Sequence, residues 1–349
     1  MFQKENSMSI NMIVFEFREN EKKFFEDNKF ENFNIIFYEE CLNEDFIKTL
    51  PQDLKDSATV ISVFINSEVT TEVMNAFKNL RIISTRSTGY DHINIQSARN
   101  RNIAVVNVEN YGATSVAQYT FGLIIALIRK IIPAANYVKE AKNCYYNFTG
   151  RDISKLTIGV VGTGAIGAAV CRIAKCFNMG IVAYDLTERK ELIDEIGACY
   201  MDLESLIKQS DIVSLHLPYT GDNYHMFGEA QFKLMKKSSI FINTSRGEIV
   251  DVMALHQVIA DKKLAGAALD VLACESLNFG CKNLIQKLDT VPMDCFNEAL
   301  YVEKLSRLDN VIITPHIAYD TQDSIDYILE KSMLGIIDVI RGGKMKRIV

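Results

Sequence analysis

No extended run of lysine and arginine occurs anywhere in the 349 residues, and the net charge is −6. Both features argue against nucleic acid as a partner. Long apolar runs are equally missing. The longest, Phe121 to Ile128, is closed by Arg129 and Lys130, well short of the roughly twenty residues that a membrane span needs. The opening MFQKENSMSIN contains no apolar secretory core, so nothing there directs export and a cytoplasmic location is expected. The eight cysteines include no CxxC pair and no histidines at ligand spacing nearby. A metal site is therefore not expected, and free thiols in a reducing compartment are. Repeats of short period and low-complexity segments are absent as well. What remains, 48% hydrophobic and 23% charged residues, is ordinary for a globular enzyme of a length that suits two domains.

The most informative stretch is TIGVVGTGAIGAAV, from Thr157 to Val170, followed eighteen residues after its last glycine by Asp185. Thr157 to Val161 reads as a short buried parallel strand. Gly162 allows a tight turn, Gly164 lets the backbone approach a pyrophosphate, and Gly167 permits close helix packing. The helix opened at Ala165 and Ile166 presents its N-terminal amides, whose partial positive charge suits a diphosphate. A second strand, Gly180 to Tyr184, delivers Asp185 to the adenosine ribose, where a carboxylate accepts from the hydroxyls and repels a 2′-phosphate. The cofactor expected is NAD rather than NADP.

Strand-like runs at Met12–Phe17, Asn34–Tyr38, Thr59–Phe64, Arg81–Thr85 and Ile103–Val106 alternate with helical stretches such as Glu19–Phe30 and Thr70–Lys78, which predicts one parallel α/β sheet. Ala113 to Ile132 reads as a single long apolar helix stopped by Pro133. A second α/β unit follows, with further strands at Asp211–Leu215, Ser239–Asn243, Ala265–Leu269 and Val311–Thr314. The last helix, Asp320 to Arg341, comes too late for that second sheet and is expected to return to the first. The fold class expected is therefore α/β with two doubly wound parallel-sheet domains of Rossmann-like and flavodoxin-like type. The substrate domain (1–110 and 318–349) would be discontinuous around an NAD-binding domain (111–317), with hinge crossings near residues 110 and 318.

Three predicted strand ends carry informative polar residues: Arg246 in INTSRGEIVD, Glu275 in ALDVLACES, and His316 in IITPHIAYD. A guanidinium matches a carboxylate with a planar fork, an imidazole exchanges protons near neutral pH, and a carboxylate can orient that imidazole. The set fits a 2-oxo or 2-hydroxy acid beside a nicotinamide. His216 in SLHLP also follows a strand, and residue chemistry alone divides the proton-transfer role evenly between it and His316. His92, His225 and His256 lack such framing.

From Arg81 to the last helix the chain resembles the D-isomer-specific 2-hydroxyacid dehydrogenases, and within them the D-lactate dehydrogenase branch. The resemblance is carried by TRSTGYDHIN (85–94), NYGATSVAQYTFGLIIAL (110–127), GVVGTGAIG (159–167), SLHLP (214–218), NTSRGEIVD (243–251), ALDV with Glu275, and TPH (314–316). It implies that Arg246 clamps the substrate, that His316 donates the proton during reduction and that Glu275 pairs with His316. It further implies cofactor contacts at Ala165, Ile166, Asp185, Leu217, Pro218, Asn223, Thr244, Ser245, Arg246 and Asp270. Substrate contacts are implied at Thr88, Gly89, Tyr111, Arg246 and Tyr319, together with a homodimer.

Some positions depart from the pattern. No proline follows Glu275, forty-one positions separate it from His316, Asp320 replaces an aromatic, and Gln118-Tyr119 replaces the usual acidic and basic pair. Tyr319 stands where lactate-type members carry an aromatic residue. No regulatory domain is expected beyond the last helix. Two other readings stay open at this level: a bulkier branched or aryl 2-oxo acid as substrate, and a dinucleotide-sensing corepressor of the same fold that retains the Arg, Glu and His.

Overall fold

Short runs of branched aliphatic residues bounded by turn formers make the sheets of this protein, since such side chains pack well on a pleated surface buried on both faces. The computed structural model describes residues 9–109, 112–140, 147–275, 277, 292–343 and 347–349. Two units divide the chain, Met1–Tyr111 with Asp320–Val349, and Gly112–Tyr319.

In the first unit, β1 (Ile10–Val14), β2 (Phe33–Phe37), β3 (Val60–Val63), β4 (Ile82–Thr85) and β5 (Ala104–Val106) pair in parallel in the order β2-β1-β3-β4-β5. This is the flavodoxin-like order. The helix Gln322–Ile340 packs on the sheet through Met333 and Ile336, which join Met12, Val14, Val60, Ile82, Ala104 and Val106 in one buried cluster. Ser332 meets Ser84 on β4 at 2.9 Å, so the pair of buried hydroxyls satisfy one another.

The second unit holds β6 (Thr157–Val161), β7 (Gly180–Tyr184), β8 (Cys199–Tyr200), β9 (Ile212–Leu215), β10 (Ile240–Asn243), β11 (Gly266–Leu269) and β12 (Val311–Ile313). Their order is β12-β11-β10-β9-β6-β7-β8, again with parallel pairing throughout the ladders. The order reverses at β6, which places the crevice of a doubly wound sheet at its carboxyl end. The two-residue edge strand β8 has no counterpart in the sequence reading, because a pair of residues carries no periodicity.

The single helix expected over Ala113–Ile132 is two. Ala113–Ile128 ends at Arg129, Lys130 adopts φ 52°, and Ile131–Lys139 starts afresh with Pro133 in its first turn. Proline is tolerated there because the amide it lacks has no partner within the helix. Val116, Ala117, Phe121, Leu123, Ile124 and Ile128 are buried, which accounts for the apolar run as a core helix. Among the described residues no single helix is long and apolar enough to cross a membrane.

The expectation of free thiols also requires correction. Cys274 and Cys295 are joined by a disulfide, with Cα atoms 5.7 Å apart, while Cys41, Cys171, Cys176 and Cys199 are free. The pairing arises from a return of the chain that spacing rules do not register. Cys144 and Cys281 lie outside the described residues.

Candidate active site

The turn after β6 is shaped by backbone constraints. Gly162 has φ 92°, and a Cβ there would come within 2.7 Å of the His216 carbonyl oxygen. At Gly167 a Cβ would sit 1.9 Å from the Gly162 carbonyl oxygen, so the helix Ala165–Cys176 can approach the turn only through glycine. Gly164 differs: it is exposed and nothing lies within 4 Å of its Cβ direction. An open lip over helix N-terminal amides at Ala165 and Ile166 fits a bound diphosphate. Asp185 follows β7 and accepts from the Thr163 amide at 2.6 Å, the Thr163 hydroxyl at 3.0 Å and the Thr187 amide at 3.2 Å. Burial alone would raise its carboxyl, but these donors together hold it below the usual carboxylate range. It therefore presents full negative charge beside the turn. Arg189 lies on the same rim, donating to the carbonyls of Thr163 and Gly164.

The loops after β10, β11 and β12 start level with one another, since Asn243 pairs with Leu269 and Leu269 with Ile313. Asn243, fully buried, builds the first loop: its Oδ1 accepts from the Ser245 amide and hydroxyl, and its Nδ2 donates to the Arg246 carbonyl at 2.8 Å. Thr244, also buried, meets Thr120 at 3.0 Å. Arg246, half-buried, donates to the Ser245 carbonyl at 2.7 Å. Asp270 ends the second strand and reaches into the third loop, where it accepts from the Thr314 hydroxyl and the amides of Ile317 and Ala318. Burial pushes its carboxyl above the ordinary value although those donors and nearby His316 pull the other way.

His316 Nδ1 and Glu275 Oε2 are 2.8 Å apart, both side chains about one-fifth exposed. Glu275 Oε1 also accepts from the Leu272 amide at 3.2 Å. The Tyr319 ring, buried, stands edge-on to the imidazole with centroids 6.3 Å apart. The second unit thus brings Glu275, His316 and Tyr319 together.

His216 is placed quite differently. It is buried, its Nε2 lies 2.9 Å from the Ser214 hydroxyl, and its Nδ1 has no hydrogen-bond partner among the described residues. Burial drives its pKa down to about 3, so the ring stays neutral. Leu217 and Pro218 continue from it into the loop after β9, where the Asn223 amide donates to the Pro218 carbonyl and its Oδ1 caps Thr220. Of the side chains expected as cofactor contacts, Asn223 bonds within its own loop and Asp270 bonds to the loop after β12.

Thr88 and Gly89 follow β4 in the first unit. The Thr88 hydroxyl donates to the Val108 carbonyl, Asn107 donates to the Thr88 carbonyl, and the Ser87 hydroxyl donates to the Gly89 carbonyl. Arg86, 1% exposed, anchors this loop to the carbonyls of Phe15 and Glu16. Tyr111 lies outside the described residues. Sequence reasoning did not single out Asn243 or Arg86; Asn243 ends the apolar run 240–242 and Arg86 follows β4 directly, a signal that appears only once strand ends are known.

Residues 121–318 match the family model described as D-isomer specific 2-hydroxyacid dehydrogenase, NAD binding domain. The chain belongs to that family. It is 34% identical over 299 residues to a glyoxylate reductase of Korarchaeum cryptofilum, covering 84% of this chain and 83% of the relative. It is 32% identical over 284 residues to a glycerate dehydrogenase of Methylorubrum extorquens, covering 80% and 81%. Among solved structures, a D-lactate dehydrogenase from Aquifex aeolicus complexed with NAD and lactic acid superposes with a TM-score of 0.83 at 31% identity, covering 97% of this chain and 99% of that one. This member of the 2-hydroxyacid dehydrogenases is accordingly an NAD-dependent oxidoreductase acting on the CH–OH group of D-2-hydroxy acids.

Two outcomes follow for this dehydrogenase. Asp185→Ser should raise the ratio of kcat/KM with NADPH to that with NADH, because it removes a charge that repels a 2′-phosphate and leaves Arg189 beside the vacated position. An unchanged ratio would remove Asp185 from the ribose contact. For His216, the unfolded chain takes up a proton near pH 6.5 whereas the folded state resists until about pH 3. The stability this residue supplies is complete above pH 6.5 and is lost progressively as pH falls toward 3, approaching about 5 kcal/mol. Thermal unfolding followed across that window should show a shallower acid slope in His216→Gln than in the parent, and parallel slopes would contradict the assignment.

Proposed function

We propose that the protein is a D-lactate dehydrogenase that reduces pyruvate with NADH. The observation that carries this reading is the Glu275–His316 pair beside Tyr319, held at the carboxyl ends of adjacent strands with Arg246 on the neighbouring loop. NADH, when bound, supplies the hydride to the carbonyl carbon. Asp185 and the amides at Gly164–Ile166 hold the cofactor. Arg246 clamps the 2-oxo acid and steadies charge growing on the carbonyl oxygen, and His316 gives that oxygen a proton from Nε2 while Glu275 holds Nδ1. The resemblance also implies Thr88 and Gly89 as donors to a substrate carboxylate. The likeness to a D-lactate dehydrogenase crystallised with lactic acid and the aromatic Tyr319 beside the imidazole support pyruvate as the acceptor.

A cytoplasmic homodimer completes the proposal. Ile131, Ile132 and Val138 are 50%, 42% and 77% exposed, an apolar set on one short helix that a second copy would cover. Light scattering should give twice the monomer mass for the parent and a lower mass for Ile132→Asp/Val138→Asp; a monomeric parent would end this part of the reading.

The chemistry is tested by steady-state NADH oxidation with pyruvate, glyoxylate, hydroxypyruvate and a branched-chain 2-oxo acid. Pyruvate should give the highest kcat/KM, and another acid in first place would replace the substrate while leaving the reaction class. His316→Gln should lose turnover by at least about 10²- to 10⁴-fold. Arg246→Lys should lose most activity although charge is kept, because an ammonium cannot reproduce the fork, with NADH binding retained in both. If His216→Gln abolishes turnover and His316→Gln does not, the proton donor is misassigned.

A further inference from the structure

Two cysteines flank the dyad along the chain. Cys274 immediately precedes Glu275, and Cys295 lies in the first turn of the helix Met293–Ser306, which leads through β12 to His316. Their disulfide closes a ring across 21 residues of sequence. One end of that ring is the residue before the carboxylate; the other is the helix that leads to the imidazole.

Cys274 has φ 51°, a left-handed conformation that a residue with a Cβ keeps only when its surroundings hold it there. Glu275, next in the chain, makes its two hydrogen bonds to the Leu272 amide and His316 from that conformation. Both bonded cysteines are half-buried. Among the free cysteines, Cys41 is also half-buried and Cys171 is buried, and desolvation pushes their thiols up to about 11 and 12, which keeps them protonated and poorly reactive.

We propose that Cys274 and Cys295 form a reversible thiol–disulfide switch that fixes Glu275 against His316 when oxidised and releases it when reduced. The inference rests on Glu275 and His316 being the working pair. The co-reactant is a low-molecular-weight disulfide. One cysteine thiolate attacks it and forms a mixed disulfide, expelling a first small thiolate; the second cysteine attacks that mixed disulfide and expels a second. Two protein S–H bonds and one small-molecule S–S bond become one protein S–S bond and two small thiols, so the protein loses the two electrons that the small disulfide gains. Excess small thiol reverses both steps. In a reducing compartment a disulfide of this kind is characteristically transient and redox-sensing.

The test uses the full chain poised with glutathione disulfide or with dithiothreitol, each removed before assay. Non-reducing peptide mapping should show the Cys274–Cys295 bond only in the first sample. kcat for 2-oxo acid reduction should be about 3- to 10-fold higher in the oxidised form, with the KM for NADH unchanged. Cys295→Ser and, independently, Cys274→Ser should stay at the reduced value after either treatment. In a Glu275→Gln background the two forms should have equal kcat, because the switch acts through that carboxylate. Lack of the bond after oxidation, equal kcat in the two parent forms, a faster reduced form, or a redox difference that survives in Glu275→Gln would each overturn the proposal. Turnover that is present but equal in the two forms removes the switch alone; no turnover in either form with any acid of the panel removes both the switch and the function it rests on.

Discussion

The arrangement of the active-site loops depends on one buried carboxylate. Asp270 is fully shielded from solvent at the end of β11, where an ionised group is tolerable only if donors surround it. Those donors come from the next loop: the Thr314 hydroxyl, the Ile317 amide at 3.1 Å and the Ala318 amide at 2.8 Å. The Asp270 backbone carbonyl also accepts from the His316 amide at 2.8 Å. His316 itself has φ 55°, an unfavourable conformation for a residue other than glycine. The two facts explain each other. The bonds that satisfy the buried carboxyl hold the loop in this backbone conformation, and His316 Nδ1 there meets Glu275.

A similar economy governs the neighbouring loop. Asn243 terminates β10 and spends both ends of its side-chain amide on the Ser245–Arg246 turn. Because β10, β11 and β12 pair in register at their last residues, the loops that follow them start at one level, and that common origin sets Arg246 and His316 on the two strands that flank β11. Parallel pairing matters here. All strand carboxyl ends point the same way, so polar loop-building residues gather on one side of the sheet, with the glycine turn after β6 on that same side.

Much of this was legible in the sequence, for reasons that differ by element. β6 and β7 match their predicted ranges, Thr157–Val161 and Gly180–Tyr184, because a glycine turn and a terminal aspartate bracket them. The other expected strands appear with at least one end shifted, by three residues at most; β1 runs over Ile10–Val14 rather than Met12–Phe17, since Phe15 and Phe17 are apolar and only pairing ends a strand. The fold class is two parallel α/β sheets, as the alternation of runs implied. Illegible were features that depend on distant residues meeting. The helix break at Lys130 sits inside a run that is helical by composition. The Cys274–Cys295 bond joins residues whose spacing matches no motif, and the bonds that Asn223 makes within its own loop and Asp270 makes to the loop after β12 are not visible in position alone.

The two histidines show why position after a strand does not assign chemistry. Each ends an apolar run, each is followed by loop residues, and each adjoins a hydroxyl-bearing side chain two residues before it, Ser214 or Thr314. Their environments separate them. His216 is buried, with its own carbonyl against Gly162, so water cannot support a charged ring and the imidazole stays neutral to low pH. A neutral ring with no proton to spare can pack, accept or donate one bond, and hold a turn. His316 instead keeps about one-fifth of its side chain in contact with solvent, and a Glu275 carboxylate oxygen lies 2.8 Å from its Nδ1. The proposed division of roles therefore rests on the third dimension: burial keeps one histidine neutral beside the glycine turn, and a paired carboxylate at a strained loop supports the proposal that the other moves a proton.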